Sequence, residues 1–321
     1  MITRLGIGIA TYNRRDLVLA TVNRVLAHTI HPYTLAVADD GSRDGTADAL
    51  RAQHITTIAG PRRGTAWNKN RLLFYLVELA RCDVVILLED DTFPAVRGWE
   101  RDWILAAARH GHVNHAPAAA SDSRLAGTGT GEAPYLAPLL TSHAAGFSRE
   151  AVLFGGYFDT RFTFCGHENV EYAQRLLRYG YGGVQAPSRS GVSAAFYLVR
   201  GGVTVMTPPS HVTDMALARN REVAERISGD TAPRACWRDV TEMERFRAEL
   251  AGIFPRLRPV SAAPAAASQP RSANASAPVA AASMTAPPLT APPDDAAGDR
   301  VSHVVPAAPT GRTRRSRSAQ R

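Results

Sequence analysis

The stretch Val84-Val85-Ile86-Leu87-Leu88-Glu89-Asp90-Asp91-Thr92 joins five consecutive apolar residues to three consecutive carboxylates. Such an apolar run, which includes Val and Ile, is typical of a strand that is covered on both faces of a parallel sheet. The acids follow at its carboxyl end, the edge at which open α/β sheets bind ligands. Carboxylates that converge there need a cation, so the stretch predicts a site for Mn²⁺ or Mg²⁺, with a solvated acidic loop as the alternative.

The residues before this stretch alternate between strand patterns and helix patterns. Strand patterns cover Leu5–Ala10, Thr34–Ala38 and Ile55–Ile58, and a helical pattern follows each of them, the third one from about Ala66 to Ala80. This order predicts a parallel sheet with a nucleotide-type crevice. Neither a G-x-G-x-x-G nor a G-x-x-x-x-G-K-[ST] motif follows the first strand, which argues against a dinucleotide enzyme and a P-loop ATPase.

Polar residues collect at the points where these strands end. Thr11-Tyr12-Asn13-Arg14 follows the first strand, and Asp39-Asp40-Gly41-Ser42 follows the second. The third strand leads into Gly60-Pro61-Arg62-Arg63-Gly64, a basic loop in front of a helix. A basic loop at a helix N-terminus is suited to binding a diphosphate.

Composition separates the chain into a globular part and a tail. The 321 residues are 45% hydrophobic, which is enough for one large domain or two small ones. Residues 259–321 contain no aromatic residue and are dominated by Ala, Pro and Ser, so we expect a disordered tail. Its seven Arg and three Asp carry half of the formal net charge of +8. The basic tail could contact nucleic acid, an anionic membrane surface or an acidic partner, or only improve solubility.

The cysteines and the hydropathy of the chain predict a cytoplasmic protein. Cys82, Cys165 and Cys236 are far apart, and no C-x-x-C or C-x-x-H spacing suggests zinc or redox chemistry. No apolar run approaches the roughly 18 residues of a transmembrane segment, and no signal sequence precedes the first strand.

Three further segments complete the coarse description. Gly111–Pro138 is rich in Gly, Ala and Pro, and we expect a flexible connection that serves as a lid or acceptor loop, or an insertion without a role. Gly191–Val205 has a strand pattern. Helices that begin near Thr213 and cover Asp239–Leu250 are predicted to pack on the domain without a chemical role.

The order and spacing of these motifs resemble the family 2 glycosyltransferases, which have the GT-A fold. The resemblance spans roughly residues 3–215 and adds, after the motifs above, Gly146-Phe147-Ser148-Arg149, Gly155-Gly156-Tyr157-Phe158-Asp159 and Gly166-His167-Glu168-Asn169-Val170-Glu171. It implies an α/β, Rossmann-like mixed sheet, mostly parallel and flanked by helices. The GT-A domain would cover residues 1–258, with a nucleotide-binding half at about 1–92 and an acceptor-binding half at about 93–258.

The resemblance also implies a set of donor-site residues. In such enzymes the Asp after the second strand accepts the imide N–H of uracil, so Asp40 points to a UDP-sugar. Asp91 would contact the metal ion directly, and Glu89 stands where the family has the first Asp of its DxD motif. A late His often completes the metal site, so His211 is the candidate third ligand, or else it caps the helix that follows. The residues implied to bind the nucleotide sugar are Thr11, Tyr12, Asn13, Asp40, Arg62, Arg63, Glu89 and Asp90.

The catalytic base is predicted from the same resemblance. Relatives have a Glu-Asp pair at the start of a helix and often use the Asp as the base, but this chain has Asn169 there, which cannot accept a proton. We therefore predict Glu168 as the base and Glu171 as the second candidate. The alternative for Glu171 is an i, i+4 pair with Arg175. The Glu-Asn-x-Glu form also resembles the polypeptide N-acetylgalactosaminyltransferases, which retain the anomeric configuration.

The function implied is a metal-dependent, inverting transfer of a hexosyl or N-acetylhexosaminyl group from a nucleoside diphosphate to a hydroxyl. The acceptor could belong to a glycan, a lipid-linked precursor, a protein or a modified base. One alternative is a nucleotidyltransferase, which should have a loop rich in Gly, Arg and Lys after its first strand. The other is a non-catalytic protein that binds a nucleotide sugar or nucleic acid, in which Asn169 marks a lost base.

Overall fold

The computed structural model describes residues 3–188, 191–206 and 213–255. The predicted metal ligand His211 and the predicted tail, 259–321, lie outside these ranges. None of the helices in the described ranges combines the length and the apolar character that a membrane span requires. The elements in chain order are β1 (Leu5–Thr11), α1 (Arg15–His28), β2 (Tyr33–Asp39), α2 (Thr46–Ala52), β3 (Thr56–Ala59), α3 (Thr65–Leu73), β4 (Val84–Glu89), β5 (Thr92–Pro94), α4 (Glu100–His110), β6 (His112–His115), α5 (Ala120–Ser123), β7 (Tyr135–Ala137), β8 (Ala144–Ser148), α6 (Arg149–Gly155), α7 (Glu168–Arg178), β9 (Gly183–Ser188), β10 (Gly191–Val199), β11 (Val203–Val205), α8 (Asp214–Arg226) and α9 (Val240–Leu250), with a π-helical segment, Phe74–Leu79, that continues α3.

Within the described residues, nine strands form one mixed sheet. Its spatial order is β3-β2-β1-β4-β8-β6-β10-β7, and β9 pairs with β10. The four strands β3, β2, β1 and β4 are parallel to one another, whereas β8 is antiparallel to both β4 and β6. The alternation of strands and helices that the sequence predicts up to β4 is therefore confirmed, and these four parallel strands lie in the predicted nucleotide-binding half.

Strand β4 lies in the middle of the sheet and is covered on both of its faces. Val85 and Leu87 pack in one hydrophobic cluster, and Val84, Ile86 and Leu88 pack in the other. Alternate residues of a strand point to opposite faces, so a strand between two cores must be apolar at every position. The apolar run therefore ends at the point where the chain leaves the core, and the carboxylates begin there.

The prediction of a flexible connection over Gly111–Pro138 is wrong for part of this segment. Strand β6 pairs with β8 and β10, and β7 pairs with β10, so both belong to the main sheet. The two strands are only four and three residues long. Strands this short are fixed by partners that lie far away in the sequence, so they leave little local pattern to recognise.

Arg175 on α7 ties this helix to the loop that follows α6. Its guanidinium is fully buried and donates to both carboxylate oxygens of Glu171, at 2.8 and 3.2 Å. It also donates to the backbone carbonyl oxygens of Gly155 and Tyr157. The guanidinium further lies 4.8 Å from the ring centroid of Tyr172. A buried charge with this many partners holds two segments in one arrangement.

We predict that Arg175→Met lowers the free energy of unfolding by about 3–5 kcal/mol, since it leaves the carboxylate of Glu171 buried without its partner. Urea unfolding of the full chain measures the change. Arg226→Met, at an exposed position near the end of α8, is the control, and we expect it to stay within about 0.5 kcal/mol of the wild type. Equal stability of the two variants would contradict the role given to Arg175.

Candidate functional site

The carboxyl ends of β1, β2 and β4 meet at one edge of the sheet. The parallel register places Thr11 beside Asp39 and Ala10 beside Glu89. The loops that leave these strands therefore begin side by side. Asp40 and Glu89, which follow or end two different strands, line the same cavity on the two sides of β1. This is the arrangement that the carboxyl edge of a parallel sheet predicts.

A cavity of about 580 Å³ opens at this edge. Its volume lies within the range of small-molecule sites, about 300–1,000 Å³. Six of the residues that the sequence analysis assigned to the site line it, namely Thr11, Tyr12, Asp40, Arg62, Glu89 and Asp90. Its walls also include side chains to which the sequence analysis gave no role, among them Arg14, Asn68, Phe164, Cys165, Met215 and Arg219.

Asp40 is held by the loop that carries Arg62 and Arg63. The backbone N–H groups of Arg63 and Gly64 each donate to a different oxygen of its carboxylate at 2.8 Å. The guanidinium of Arg71 donates to Oδ1 at 3.3 Å. Burial raises the pKa of Asp40 to about 6, although these donors oppose the rise. The backbone of the basic loop therefore binds the carboxylate of Asp40, and this contact fixes the wall of the cavity.

Asn13 and Arg63 are next to residues that line the cavity but do not line it themselves. The side-chain oxygen of Asn13 accepts from the backbone N–H of Arg43, and the backbone N–H of Asn13 donates to the hydroxyl of Ser42. Asn13 thus joins the loops after β1 and β2. The guanidinium of Arg63 lies 4.8 Å from the ring centroid of Trp67 and contacts Glu249 on α9. Both residues hold the loops in place, and their predicted contact with the nucleotide sugar stays a prediction.

Asp90 is the buried member of the acidic stretch. Thr11 Oγ1 donates to Oδ2 at 2.8 Å, and Arg14 Nη1 donates to Oδ1 at 2.9 Å. The hydroxyl of Thr21 on α1 donates to its backbone carbonyl. Burial raises the pKa of Asp90 to about 6, against the opposing charge of Arg14. Asp90 therefore fastens the end of β4 to the loop after β1 and to α1.

Glu89 and Asp91 are more open, with side chains that are 24% and 16% exposed. Lys69 Nζ lies 2.5 Å from Glu89 Oε1, and Arg14 Nη1 lies 3.3 Å from Asp91 Oδ2. Burial and the neighbouring Glu89 raise the pKa of Asp91. These two carboxylates flank Asp90 and keep part of their surface available to a ligand.

Lys69 joins the acidic stretch to the start of α7. Its ammonium group donates to Asn169 Oδ1 at 3.0 Å and lies 3.7 Å from Glu168 Oε1, in addition to its contact with Glu89. The pKa of Lys69 is raised, because the charges of Glu89 and Glu168 outweigh the effect of burial. One cation therefore serves a carboxylate at the end of β4 and a carboxylate at the start of α7.

Glu168 is the first residue of α7 and is almost completely buried. Asn169 Nδ2 donates to its Oε1 at 3.0 Å, whereas its Oε2 has no hydrogen-bond partner. Burial raises the pKa of Glu168, and the charge of Lys69 opposes the rise. Glu168 therefore keeps an oxygen that can accept a proton. Glu171, the second predicted base, has both oxygens bound by Arg175, so the structure gives it the i, i+4 pairing that the sequence left open.

Sequence reasoning missed the contribution of Lys69, Arg71 and Glu249. Arg71 is fully buried, and its Nε donates to Oε2 of Glu249 on α9 at 2.8 Å; Trp67 Nε1 donates to the same oxygen at 2.9 Å. A usable signal was the run Asn68-Lys69-Asn70-Arg71 in a helix between two buried strands. Four consecutive polar residues point to all sides of a helix, so some of them must face the protein interior and need partners there.

The acidic end of the cavity has fewer positive charges than negative ones. Glu89 and Asp90 line the cavity, whereas Asp91 and Glu168 share cations with them but are not among the residues that line it. Within the described ranges, the cations that form salt bridges with these four carboxylates are those of Lys69 and Arg14. Two negative charges stay uncompensated when all four acids are ionised. A hard divalent cation would balance them, and carboxylate oxygens are its preferred ligands. In the described ranges no group of three or more His, Cys, Asp or Glu could by itself hold a metal ion.

Comparison with known families is consistent with this geometry. Residues 7–120 match the family described as Glycosyl transferase family 2. The matched part runs from within β1 through β6 and contains every element that leads to the acidic stretch. The resemblance inferred from the motifs is therefore confirmed for this part of the chain. The comparison with curated proteins gives no match.

Solved structures with a similar fold include two glycosyltransferase complexes. The mannosyltransferase PcManGT from Pyrobaculum calidifontis, in complex with GDP-Man and Mn²⁺, is 22% identical over 56% of this chain and 54% of its own, with a TM-score of 0.44. GalNAc-T7, with UDP, GalNAc and Mn²⁺, is 13% identical over 77% of this chain and 54% of its own, with a TM-score of 0.51. The chain thus spans about half the length of both. The likeness to GalNAc-T7 together with the mixed sheet confirms the predicted GT-A fold class.

The buried Asp90 predicts a pH-dependent contribution to stability. Its pKa is about 6 in the folded protein and about 3.9 in an unfolded chain. The folded state therefore binds the proton more tightly, and the stabilisation by this proton is lost as the pH rises from about 4 to about 6. Asp90→Asn cannot titrate at this position. Relative to that variant, the free energy of unfolding of the wild type should fall by up to about 2 kcal/mol between pH 4.5 and pH 7.

Urea unfolding in metal-free buffer at the two pH values measures this loss. Asp83→Asn is the control with the opposite sign, because the backbone N–H of Arg4 holds the pKa of Asp83 below its usual range. Relative to that variant, the wild type should gain stability as the pH rises through the acid range. A difference between wild type and Asp90→Asn that does not change with pH would contradict the raised pKa of Asp90.

Proposed function

We propose that this protein is a glycosyltransferase that moves a sugar from a nucleoside diphosphate to a hydroxyl acceptor. The observation that carries the proposal is the cavity at the carboxyl edge, which Asp40 lines on one side of β1 and Glu89 on the other. A nucleoside diphosphate carries N–H donors on its base and negative charge on its phosphates. The cavity offers an acceptor for the base at one end and an acidic site for a bridging cation at the other.

UDP is the proposed nucleotide. The carboxylate of Asp40 has about four acceptor positions, and three of them are taken by the donors from Arg63, Gly64 and Arg71. One position, on Oδ2, can still accept an N–H such as that of a uracil ring. The hydroxyl of Thr11 and the ring of Tyr12 line the same cavity, which supports their proposed contacts with the nucleoside.

The proposed cofactor is Mn²⁺ or Mg²⁺, held by Asp91 and Glu89. Both side chains are partly exposed, and the excess of negative charge around them supports binding of a divalent ion. Such an ion would neutralise the nucleoside diphosphate as it leaves. Arg14 and Lys69 hold the two carboxylates in position from the protein side. His211 stays a prediction for the third ligand.

Glu168 is the proposed general base of an inverting transfer. Its Oε2 has no hydrogen-bond partner, and burial raises its pKa, so the carboxylate is a stronger proton acceptor than an exposed Glu. Asn169 and Lys69 orient the other oxygen. Glu171 is left out of the proposed mechanism because Arg175 binds both of its oxygens.

The acceptor is proposed only as a hydroxyl group, and the sugar as a hexosyl or N-acetylhexosaminyl unit. GalNAc-T7 is bound to UDP and Mn²⁺, which makes these two the first probes to use with this chain. The cytoplasmic location and an anionic partner of the basic tail stay predictions from the sequence.

Asp91→Ala should remove the part of nucleotide binding that depends on the metal ion, because it deletes the proposed direct ligand. The measurement is calorimetric titration of the full chain with UDP and with GDP, each with and without Mn²⁺. We expect the wild type to bind UDP more tightly in the presence of Mn²⁺ and the variant to show no such difference.

Asp16→Ala is the matched control, since Asp16 is exposed on the first turn of α1 and does not line the cavity. It should keep the full response to Mn²⁺. An Asp91→Ala variant with wild-type Mn²⁺-dependent affinity would remove Asp91 from the metal site. A wild type that binds neither nucleotide would contradict the proposed donor site as a whole.

Glu168→Gln should leave UDP binding intact but slow sugar transfer by about 10²-fold or more, as the loss of a general base does. The assay is the release of UDP from the UDP-sugar that the wild type turns over, with water or an identified hydroxyl compound as acceptor. Glu171→Gln is the matched comparison on the same helix. It should lower the free energy of unfolding and leave the rate of the folded protein nearly unchanged. Slow transfer by Glu171→Gln, together with a nearly normal rate for Glu168→Gln, would instead assign the role of base to Glu171.

A further inference from the structure

Three side chains at the mouth of the cavity form a stack. The guanidinium of Arg62 lies 4.1 Å from the ring centroid of Tyr12 and 5.2 Å from the ring centroid of Phe164. All three residues line the 580 Å³ cavity. A flat cationic group thus lies over two aromatic rings, inside the site proposed for the donor. We refer to the space between the rings of Tyr12 and Phe164 as the aromatic slot.

The pairing of Arg62 differs from that of its neighbours. Arg14, Arg63 and Arg71 each form a salt bridge with a carboxylate. For Arg62, the described part of the chain shows no salt bridge and no side-chain hydrogen bond; its guanidinium lies over the two rings, and its charge also opposes the rise in the pKa of Asp40. Cation–π contacts are weak compared with a charge-assisted hydrogen bond, so Arg62 can leave the slot at little cost when another partner is offered.

Phe164 is placed in an unusual way for a large apolar residue. Its side chain is 48% exposed, and its backbone has a φ of 58°, in the left-handed region that bulky residues rarely adopt. The carbonyl oxygen of Phe164 accepts from the backbone N–H of Thr65 at 2.6 Å, and a Cβ added to Gly64 would lie 2.4 Å from the Phe164 nitrogen. The backbone is therefore held tightly against the start of α3. Strain of this kind persists where the surrounding structure enforces it, often at ligand sites.

The slot has the chemistry of a site for a planar ring. Two aromatic faces from different halves of the chain, one after β1 and one before α7, can sandwich a flat group. Stacking on aromatic side chains is the common way in which proteins bind nucleobases, and it tolerates different bases. Asp40, which lines the same cavity, keeps one acceptor position on Oδ2 for an N–H at the edge of such a ring.

We propose that Phe164 forms a second wall of the nucleobase site already proposed at Tyr12 and Asp40, that Arg62 fills the aromatic slot when no nucleotide is bound, and that Arg62 moves to the diphosphate when the base enters. This inference rests on the proposed function and adds two elements to it. Phe164 becomes the second wall of the base site. Arg62 becomes both a competitor of the base and a ligand of the phosphates, so it couples recognition of the two parts of the donor.

This dual role predicts that Arg62→Ala changes the affinity for a nucleoside and for its diphosphate in opposite directions. Uridine has no phosphate, so the variant should bind it about two- to fivefold more tightly, since a cation–π contact no longer has to be broken. UDP should bind about tenfold more weakly, because a charge-assisted contact with the diphosphate is lost. A residue with a purely structural role would change both affinities in the same direction.

Phe164→Ala should weaken the binding of uridine and UDP by the same factor, about tenfold, because both lose one stacking face. Phe164→Leu keeps the apolar volume but has no aromatic face, so it should weaken both ligands as well. It serves as a second variant in case the alanine change disturbs the loop. A thermal melt of each variant reports whether the chain is folded.

The measurements are ligand-detected NMR for uridine and calorimetry for UDP, on the full chain with Mn²⁺ present. Two controls match the variants in type. Arg24→Ala removes an exposed guanidinium that lies 5.5 Å from the ring of Phe93, and Phe154→Ala removes an aromatic ring that is 58% exposed and packs against Tyr179. Neither control residue lines the cavity, and both variants should bind uridine and UDP as the wild type does.

The possible results test the aromatic slot and the proposed function independently of each other. Opposite shifts for Arg62→Ala, together with parallel losses for the Phe164 variants, support the slot. The slot would be overturned, and the donor site kept, if the wild type binds UDP but Arg62→Ala lowers the affinity for uridine and for UDP by the same factor. The same conclusion would follow if the Phe164 variants bind both ligands as tightly as Phe154→Ala does. A wild type that binds neither uridine nor UDP would overturn the proposed function and the slot with it.

Discussion

The cavity depends on a buried guanidinium, that of Arg71, which is completely excluded from solvent. A charge removed from water is tolerated only where acceptors surround it. Arg71 donates to oxygen atoms of Asp39, Asp40, Pro61, Asn68 and Glu249. These acceptors come from the end of β2, the loop after β3, α3 itself and α9. Four separate segments therefore converge on one cation, and the wall of the cavity that carries Asp40 cannot move without breaking its contacts.

The acidic end of the cavity is held by the same helix. Lys69 and Arg71 are two positions apart on α3, which places them about 200° apart around the helix axis. Arg71 thus reaches the end of β2, whereas Lys69 reaches Glu89 at the end of β4. One rigid element therefore fixes both ends of the cavity relative to each other. This explains why α3 has no exposed polar face. Every residue from Ala66 to Leu73 is buried, because both sides of the helix serve the site.

The parts of the fold that the sequence predicts are those encoded in consecutive residues. The apolar run of β4 predicts its burial on two faces, and the carboxylates that follow it are necessarily at the ligand-binding edge. The contacts that hold the site are different in kind, because Lys69 meets Asn169 and Arg71 meets Glu249 across 100 and 178 residues. No spacing rule relates such residues, since only the folded chain brings them together. Strand β6 is similar. Its sequence, His-Val-Asn-His, has no strand pattern, and it becomes a strand because β8 and β10 pair with it.

The way in which each carboxylate is compensated separates structural acids from those available for chemistry. Glu168 and Glu171 lie three residues apart on α7, and both are buried. Glu171 has a cation to itself, whereas Glu168 shares Lys69 with Glu89 and keeps one oxygen without a partner. Arg14 is divided in the same way between the two aspartates that follow Glu89. Two shared cations thus leave four acids incompletely compensated. Among the residues that the structure describes, this shortage of positive charge, and not the number of acids, is what supports the proposed binding of a divalent cation at this edge.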